Sequence, residues 1–344
     1  MERELTVLAI DDPRWASFVQ SAPDAVPFHR PEWARLLADC YGHRAFALTR
    51  VDEAGRIRDG LPILEIAYPW GGRQWTSLPF TDSCPLLAAG DASRLALVDR
   101  LDTERRAQGV ARLEIRAPIP GPNAQLRTVG VTHRLALASD PDAMFQRFKP
   151  AVQRAIAKAG REGVTIAEAR SEADLGDTFY RLHAATRARL GVPVQPRRYF
   201  RMLWGALIES GLGFVLLASV GDRAVAAAVF LAWNGTIDYK YGASSPEFWA
   251  LRPNNLLFAA AIRRGCERGY HTFDFGRTDL DDAGLRAFKL GWGAVEEPLV
   301  YSRLGAPWGE SPVSRLAARL RPLLRRAPSW ICRLIGEIAY KYAA

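Results

Sequence analysis

One order of elements is written twice along this chain, and that repeat constrains the fold before any single residue is considered. In the first copy a helical pattern at Pro31–Tyr41 precedes strand patterns at Arg44–Val51, Ile57–Tyr68 and Arg73–Leu78, with a turn at Asp52-Glu53-Ala54-Gly55. A helix at Ala92–Gln108, for which Asp91 is the expected N-cap, and a strand at Leu113–Arg116 complete it. The second copy opens with helices at Glu172–Leu190 and Arg197–Ser210. Strands follow at Gly213–Val220, Ala224–Trp233 and Thr236–Ala243, joined by Gly221-Asp222 and by Asn234-Gly235, a strong hairpin signal. Pro253 suits a first helical position, where its missing N–H would be unpaired anyway, and Thr272–Gly276 reads as the closing strand. Between the copies, Asp140–Val164 reads as two short helices opened by Pro141 and Pro150. The expected fold is therefore α/β (α+β): two tandem units, 1–140 and 141–305, each a mixed, mostly antiparallel sheet flanked by helices, and a basic helical tail at 306–344.

With 49% apolar and 24% charged residues the composition is that of an ordinary globular protein. The opening MERELTVLAIDD has no basic stretch followed by an apolar run, so no secretory signal is expected, and no apolar run reaches the ~18 residues of a membrane span. Cys40, Cys84, Cys266 and Cys332 are scattered, and the five histidines (29, 43, 133, 183 and 271) stand alone. Reduced thiols in the cytoplasm and no metal site are expected. No third glycine follows Gly211-Leu212-Gly213, and neither a Walker loop nor a Gly-x-Ser-x-Gly elbow occurs. The net charge of +9 is unevenly placed. From Ser311 onward seven basic residues (Arg315, Arg319, Arg321, Arg325, Arg326, Arg333 and Lys341) face Glu337 alone. Six arginines lie between Thr178 and Ile208 with no acid, and Arg147, Lys149, Arg154, Lys158 and Arg161 form a third cluster. Any one cluster could be a solvated helix face; three favour a polyanionic partner such as phosphates, RNA or an anionic membrane, and no DNA partner is expected.

The stretch Tyr239–Trp292 concentrates polar and aromatic groups at element ends. A strand ends in Tyr239 and Tyr241, the helix opens after Arg252, and the last strand delivers Asp274 and Arg277. An acid-rich helix follows and presents Phe288 and Lys289. Strand, loop, helix and strand in this order hold a ligand where strand ends diverge and a helix N-terminus points into the gap.

The element order, with TRARLGVPVQPRRYF, YKYGAS, DFGR and GLRAFKLGWG, resembles the FemAB-type branch of the N-acetyltransferase (GNAT) superfamily, including its BioF2-like members, over about Leu5–Leu304. Fem transferases pass amino acids from aminoacyl-tRNA to peptidoglycan precursors. The resemblance implies a reacting centre at Lys289 and Phe288, with the lysine offsetting negative charge at the reacting carbonyl, an effect worth roughly 3–4 kcal/mol in a site poor in water. Tyr241 and Tyr239 match the family's paired tyrosines. Arg189 matches an arginine on the acceptor's diphosphate, and Trp33 and Arg35 match a tryptophan and a basic partner for the same group. Two positions depart from the pattern. Ala88 follows Ser83-Cys84-Pro85-Leu86-Leu87 where Fem proteins carry an aspartate, although Asp82 is near. ALRPNN lacks the glycine-rich turn of acetyl-CoA-dependent relatives, leaving Arg252, Asn254 and the helix N-terminus to meet a pyrophosphate.

The expected function is acyl or aminoacyl transfer to an amine of a phosphate-bearing peptidoglycan or exopolysaccharide precursor. No bound cofactor is expected; the donor is aminoacyl-tRNA or acetyl/acyl-CoA, and no covalent enzyme intermediate is needed. Alternatives are an acetyl-CoA-dependent N-acetyltransferase of exopolysaccharide synthesis and a non-catalytic module that binds RNA or phosphorylated lipid. In the tail, Val313, Leu316, Leu320, Leu323 and Leu324 form one apolar stripe, and Ile331, Leu334, Ile335, Ile338 and Tyr342, led by Trp330, form a second. Residues 311–344 could dock on the protein's own core or on the inner face of the cytoplasmic membrane.

Overall fold

A computed structural model describes residues 5–69, 71–309, 319–322, 324–325 and 328–342. By internal contacts the chain forms two compact units, Met1–Gly130 with Pro298–Glu310, and Val131–Glu297 with Ser311–Ala343.

In the first unit β1 (Thr6–Ala9), β2 (Arg44–Val51), β3 (Ile57–Ala67) and β4 (Arg73–Thr76) pair antiparallel in that order, and β5 (Arg112–Ile115) adds parallel to β4. Three helices accompany them: α1 (Pro13–Ser21), α2 (Pro31–Tyr41) and α3 (Asp91–Ala107). In α2 the buried Trp33, Leu36, Leu37 and Cys40 recur at three- and four-residue spacing, Pro31 starts the helix, and Gly42 (φ 70°) ends it in the left-handed region. Phe46, Leu48, Leu61, Ile63 and Trp75 meet Leu97, Val98 and Leu101 of α3 in this unit's core. Each such side chain contributes about 1.5–3 kcal/mol on burial.

β6 (Gln125–Ala136) leads to α4 (Pro141–Gln146), α5 (Pro150–Arg161) and β7 (Val164–Glu168). After α6 (Tyr180–Leu190) and α7 (Arg197–Leu203) come β8 (Gly213–Val220), β9 (Arg223–Trp233), β10 (Thr236–Ser244), α8 (Pro253–Glu267), β11 (Thr272–Asp274), α9 (Ala283–Leu290), β12 (Val295–Gly305) and α10 (Ser329–Ala339). β7 to β10 pair antiparallel and β11 adds parallel to β10, repeating the first unit. Phe214, Phe230, Ile237 and Phe273 pack on Leu257, Phe258, Ala261 and Ile262 of α8.

The sixth strand of each set comes from the other half of the chain. β6 pairs with β11, and Ser302–Gly305 of β12 pair with β5. The compact units are therefore not contiguous stretches, whereas the expected boundaries were. β6 was not anticipated: Gly130 and the exposed side chains of its first half blur the alternation. Asp91 is not an N-cap; Gly90 (φ 92°) holds that position and no side chain caps the helix, so Asp91 is its first residue. The long helices expected over 172–190 and 197–210 each contain a π-helical segment, Asp174–Phe179 and Trp204–Ile208.

Candidate functional site

The end of β10 is shaped by a bulge. Tyr239 lies opposite Phe230 of β9 and Tyr241 opposite Val229, with the register shifting between them. Consecutive residues of a strand face opposite ways, so the two tyrosines lie on opposite faces of the sheet. Tyr239 packs on Phe258 of α8 (ring centroids 4.8 Å), and its hydroxyl fills the place a Cβ would take at Gly242. Burial pushes its pKa up to about 12. On the other face the Tyr241 and Tyr199 hydroxyls share a 2.9 Å hydrogen bond, and the Tyr241 ring meets Phe200 and His183. The tyrosines expected as one pair do not share a wall.

Beyond β10 a short turn, Pro246–Leu251, leads to Arg252, which stands in the left-handed region at φ 60° as the N-cap of α8. No side chain caps α8 and its first turn holds no acid. Its positive end, with the unsatisfied N–H groups found there, is open to an anion. Beside it is a cavity of about 510 Å³ lined by Lys149, the N-cap of α5, by Arg154 in the middle of that helix and Lys158 in its last turn, by Arg252 and Asn255 from the start of α8, and by Phe288 of α9. Among the described residues no acidic side chain lines it. The Lys149 N–H donates to the Gly291 carbonyl (3.0 Å), tying α5 to the end of α9. Lys149, Arg154 and Lys158 were visible in sequence as a basic cluster but not as site residues; the four-residue spacing of Arg154 and Lys158 was the available signal.

Phe288 faces this cavity, and Lys289 turns inward. Lys289 is 2% exposed, and its Nζ donates to the carbonyls of Gly276 (2.7 Å) and Arg277 (3.2 Å). Its ammonium thus fastens the loop after β11 to α9. Asp274 is also internal: it accepts from Thr132 Oγ1 (2.8 Å), Arg134 Nε (3.1 Å) and the Gly276 N–H (2.7 Å), joining β6 to β11. Arg277 is exposed and reaches Asp279 at 2.8 Å. His133 lies 3.0 Å from Glu296; burial, reinforced by the Lys289 charge, lowers its pKa.

Arg189 lies over the ring of Trp249, with its guanidinium carbon 4.8 Å from the centroid, and desolvation lowers its pKa. Ser244 Oγ accepts from Trp249 Nε1 (2.9 Å) and from Asn254 Nδ2 (3.4 Å), so Arg189, Asn254 and Arg252 all converge on the β10–α8 connection. In the first unit Arg35 is exposed, while Trp33 is fully buried edge-on to Phe28 (5.2 Å) and belongs to the core. Ala88 lines a cavity of about 310 Å³ there, with Arg58 and Arg94. Among the described residues no group of three His, Cys, Asp or Glu side chains could hold a metal ion, and no helix is long and apolar enough to cross a membrane.

This architecture is the GNAT fold. Residues 146–290 match the family model of the acetyltransferase (GNAT) domain, and the fold is FemAB-like, a tandem GNAT arrangement, over 86–89% of the chain. It is similar to the crystal structure of FemX, at a TM-score of 0.70 and 17% identity over 86% of this chain and 96% of that one. L-PGS from Bacillus licheniformis gives a TM-score of 0.57 at 13% identity over 93% and 99%. A tandem GNAT protein from the clavulanic acid biosynthesis pathway gives 0.51 at 13% identity over 89% and 100%. At these identities the likeness is one of fold. No curated protein matches in sequence.

Proposed function

We propose that this protein transfers an acyl or aminoacyl group from a phosphate-bearing donor to an amine of a cell-envelope precursor. The observation that carries the reading is the acid-free cavity at the start of α8, where Lys149, Arg154, Lys158 and Arg252 surround a helix N-terminus beside Phe288. Cations and N–H dipoles in one concavity suit the phosphates that coenzyme A and the 3′ end of a tRNA share. Phe288 supplies an apolar wall next to them. The acceptor nitrogen bonds to the acyl carbon, the donor's ester or thioester bond breaks, and the amine proton leaves with the departing oxygen or sulfur. Lys289 acts as a positioning residue, since its ammonium holds the backbone of Gly276 and Arg277. Arg189 on Trp249 is the proposed handle for an acceptor phosphate. This reading places the reaction on the cytoplasmic side, where such donors are made.

The test is direct transfer. The purified chain is incubated with acetyl-CoA or with charged tRNA, together with nucleotide-linked or lipid-linked saccharides and peptides, and products are read by mass. Transfer from charged tRNA supports the aminoacyl reading, and transfer from acetyl-CoA the N-acetyltransferase reading. Tight binding of RNA or phospholipid without transfer from any donor overturns both and leaves a binding module.

A further inference from the structure

The last described helix, α10, has two unlike faces. Cys332, Gly336 and Tyr340 are buried where α10 packs on α6 of the second unit. Gly336 is required at that seam, because a Cβ would come within 1.7 Å of the Val194 carbonyl oxygen. The Val194 N–H donates to the Cys332 carbonyl at 3.2 Å, and Glu337 pairs with Arg198 at 2.7 Å. Trp330, Leu334 and Ile338 repeat with the same four-residue spacing and are 56%, 53% and 64% exposed. At about 100° per residue this set points roughly opposite to the buried one. Half-exposed Ile331 and Ile335 widen the stripe.

Scattered surface leucines need no explanation, but a tryptophan, a leucine and an isoleucine aligned over more than two turns of one helix do. The charge of the tail favours one occupant. Arg319, Arg321, Arg325 and Arg333 are exposed and Lys341 is half-exposed, while the one acid among the described tail residues, Glu337, is taken up by Arg198. An apolar stripe led by a tryptophan, on a tail whose exposed charge is of one sign, matches the boundary between lipid headgroups and acyl chains, and each basic residue near an anionic leaflet strengthens partition roughly fivefold.

We propose that this face of α10 seats the protein on an anionic lipid bilayer, with Trp330, Leu334 and Ile338 at the headgroup–acyl boundary and the arginines on lipid phosphates. The inference does not rest on acyl transfer. It is tested by co-sedimentation of the full chain with phosphatidylcholine vesicles containing about 30% phosphatidylglycerol, at low and high salt. Binding is expected at low salt. It should weaken at least tenfold with pure phosphatidylcholine, at high salt, and in the Trp330→Ser/Leu334→Ser/Ile338→Ser variant, whose far-UV circular dichroism stays that of the parent. Ile338→Glu alone gives the same direction should the triple variant not fold. Failure of the parent chain to bind the anionic vesicles, or equal binding by the variants, overturns the proposal. So does concentration-dependent dimerisation that the substitutions abolish, which would assign the stripe to a second copy of this chain.

Discussion

The two units repeat one strand plan yet treat the helix after the fourth strand in opposite ways. In the first unit α3 starts with Gly90 and Asp91, an acid at the positive end of the helix. The adjacent cavity holds Arg58 and Arg94, but Asp24 lines it too, and Arg94 lies 3.3 Å from Asp91 and 3.6 Å from Asp24. In the second unit α8 starts with Arg252 and Pro253, has no acid in its first turn, and opens onto a cavity with four cations. One copy answers its own charge; in the other no acid among the described residues lines the cavity. A duplicated frame can thus divide its work by electrostatics alone, and the family match over residues 146–290 falls on the copy with the open charge.

Charge reversal should separate the copies most sharply. Arg154→Glu with Lys158→Glu is expected to raise the donor's apparent KM by about 100-fold or more, since each charge-assisted contact contributes about 1.5–3 kcal/mol. Arg58→Glu with Arg94→Glu should leave it within about twofold. Equal effects in steady-state kinetics would erase the distinction between the units.

Lys289→Met comes next. Losing the ammonium strands two carbonyls in a buried place, so stability should fall by about 2–3 kcal/mol and turnover by roughly 10²-fold, with donor affinity little changed. An unchanged denaturation midpoint with collapsed turnover would move Lys289 from the scaffold to the reacting carbonyl.

Each unit also carries a buried histidine that is neutral when folded. Desolvation takes His29 down to about 4, against the smaller opposing effect of its bonds to Pro85 and Val26, and takes His183 down to about 3. Both folded pKa values lie below the unfolded value of about 6.5, so the stability they contribute is complete above that pH and is lost as pH falls towards 4. A loss of roughly 3 kcal/mol per histidine by pH 4 is the upper expectation. Urea titrations across this range should show a slope that His29→Gln and His183→Gln each flatten by one proton. An unaltered slope would mean that other groups dominate acid unfolding.

Much of the frame was legible because its signals are local. Asn234-Gly235 set a hairpin, Pro31, Pro141, Pro150 and Pro253 set helix starts, and alternation set most strands. What escaped depends on distant partners. β6 is a strand because β11, far along the chain, pairs with it. The bulge that separates Tyr239 from Tyr241 is a property of the β9–β10 register rather than of either residue. Lys289 is an amphipathic-helix lysine in sequence, and only the carbonyls of Gly276 and Arg277 reveal where its charge goes. The α5 cations could be counted, but the cavity they line needs α8, some hundred residues later. Of the tail, the stripe within 313–318 and Leu323 lies outside the described residues, while Trp330, Leu334 and Ile338 fall on a face that the core does not cover.

The finest test exchanges the electrostatic character of the two helix starts. Asn254→Asp places an acid in the first turn of α8, where the helix dipole favours it by about 0.5 kcal/mol. In a unit of this size that corresponds to a rise of roughly 1–2 °C in melting temperature. Asp91→Asn removes the corresponding acid from α3 and should lower stability by a similar amount. The functional consequences are expected to differ. Asn254→Asp sets a carboxylate beside Arg252 and competes with the donor's phosphates, so donor affinity should fall about five- to tenfold although the protein is more stable. Asp91→Asn should leave donor affinity where it was. Melting curves and donor titrations on the two variants read both quantities independently. Stability and affinity rising together in Asn254→Asp would show that the α8 terminus is merely uncapped, and that the donor's phosphates bind elsewhere.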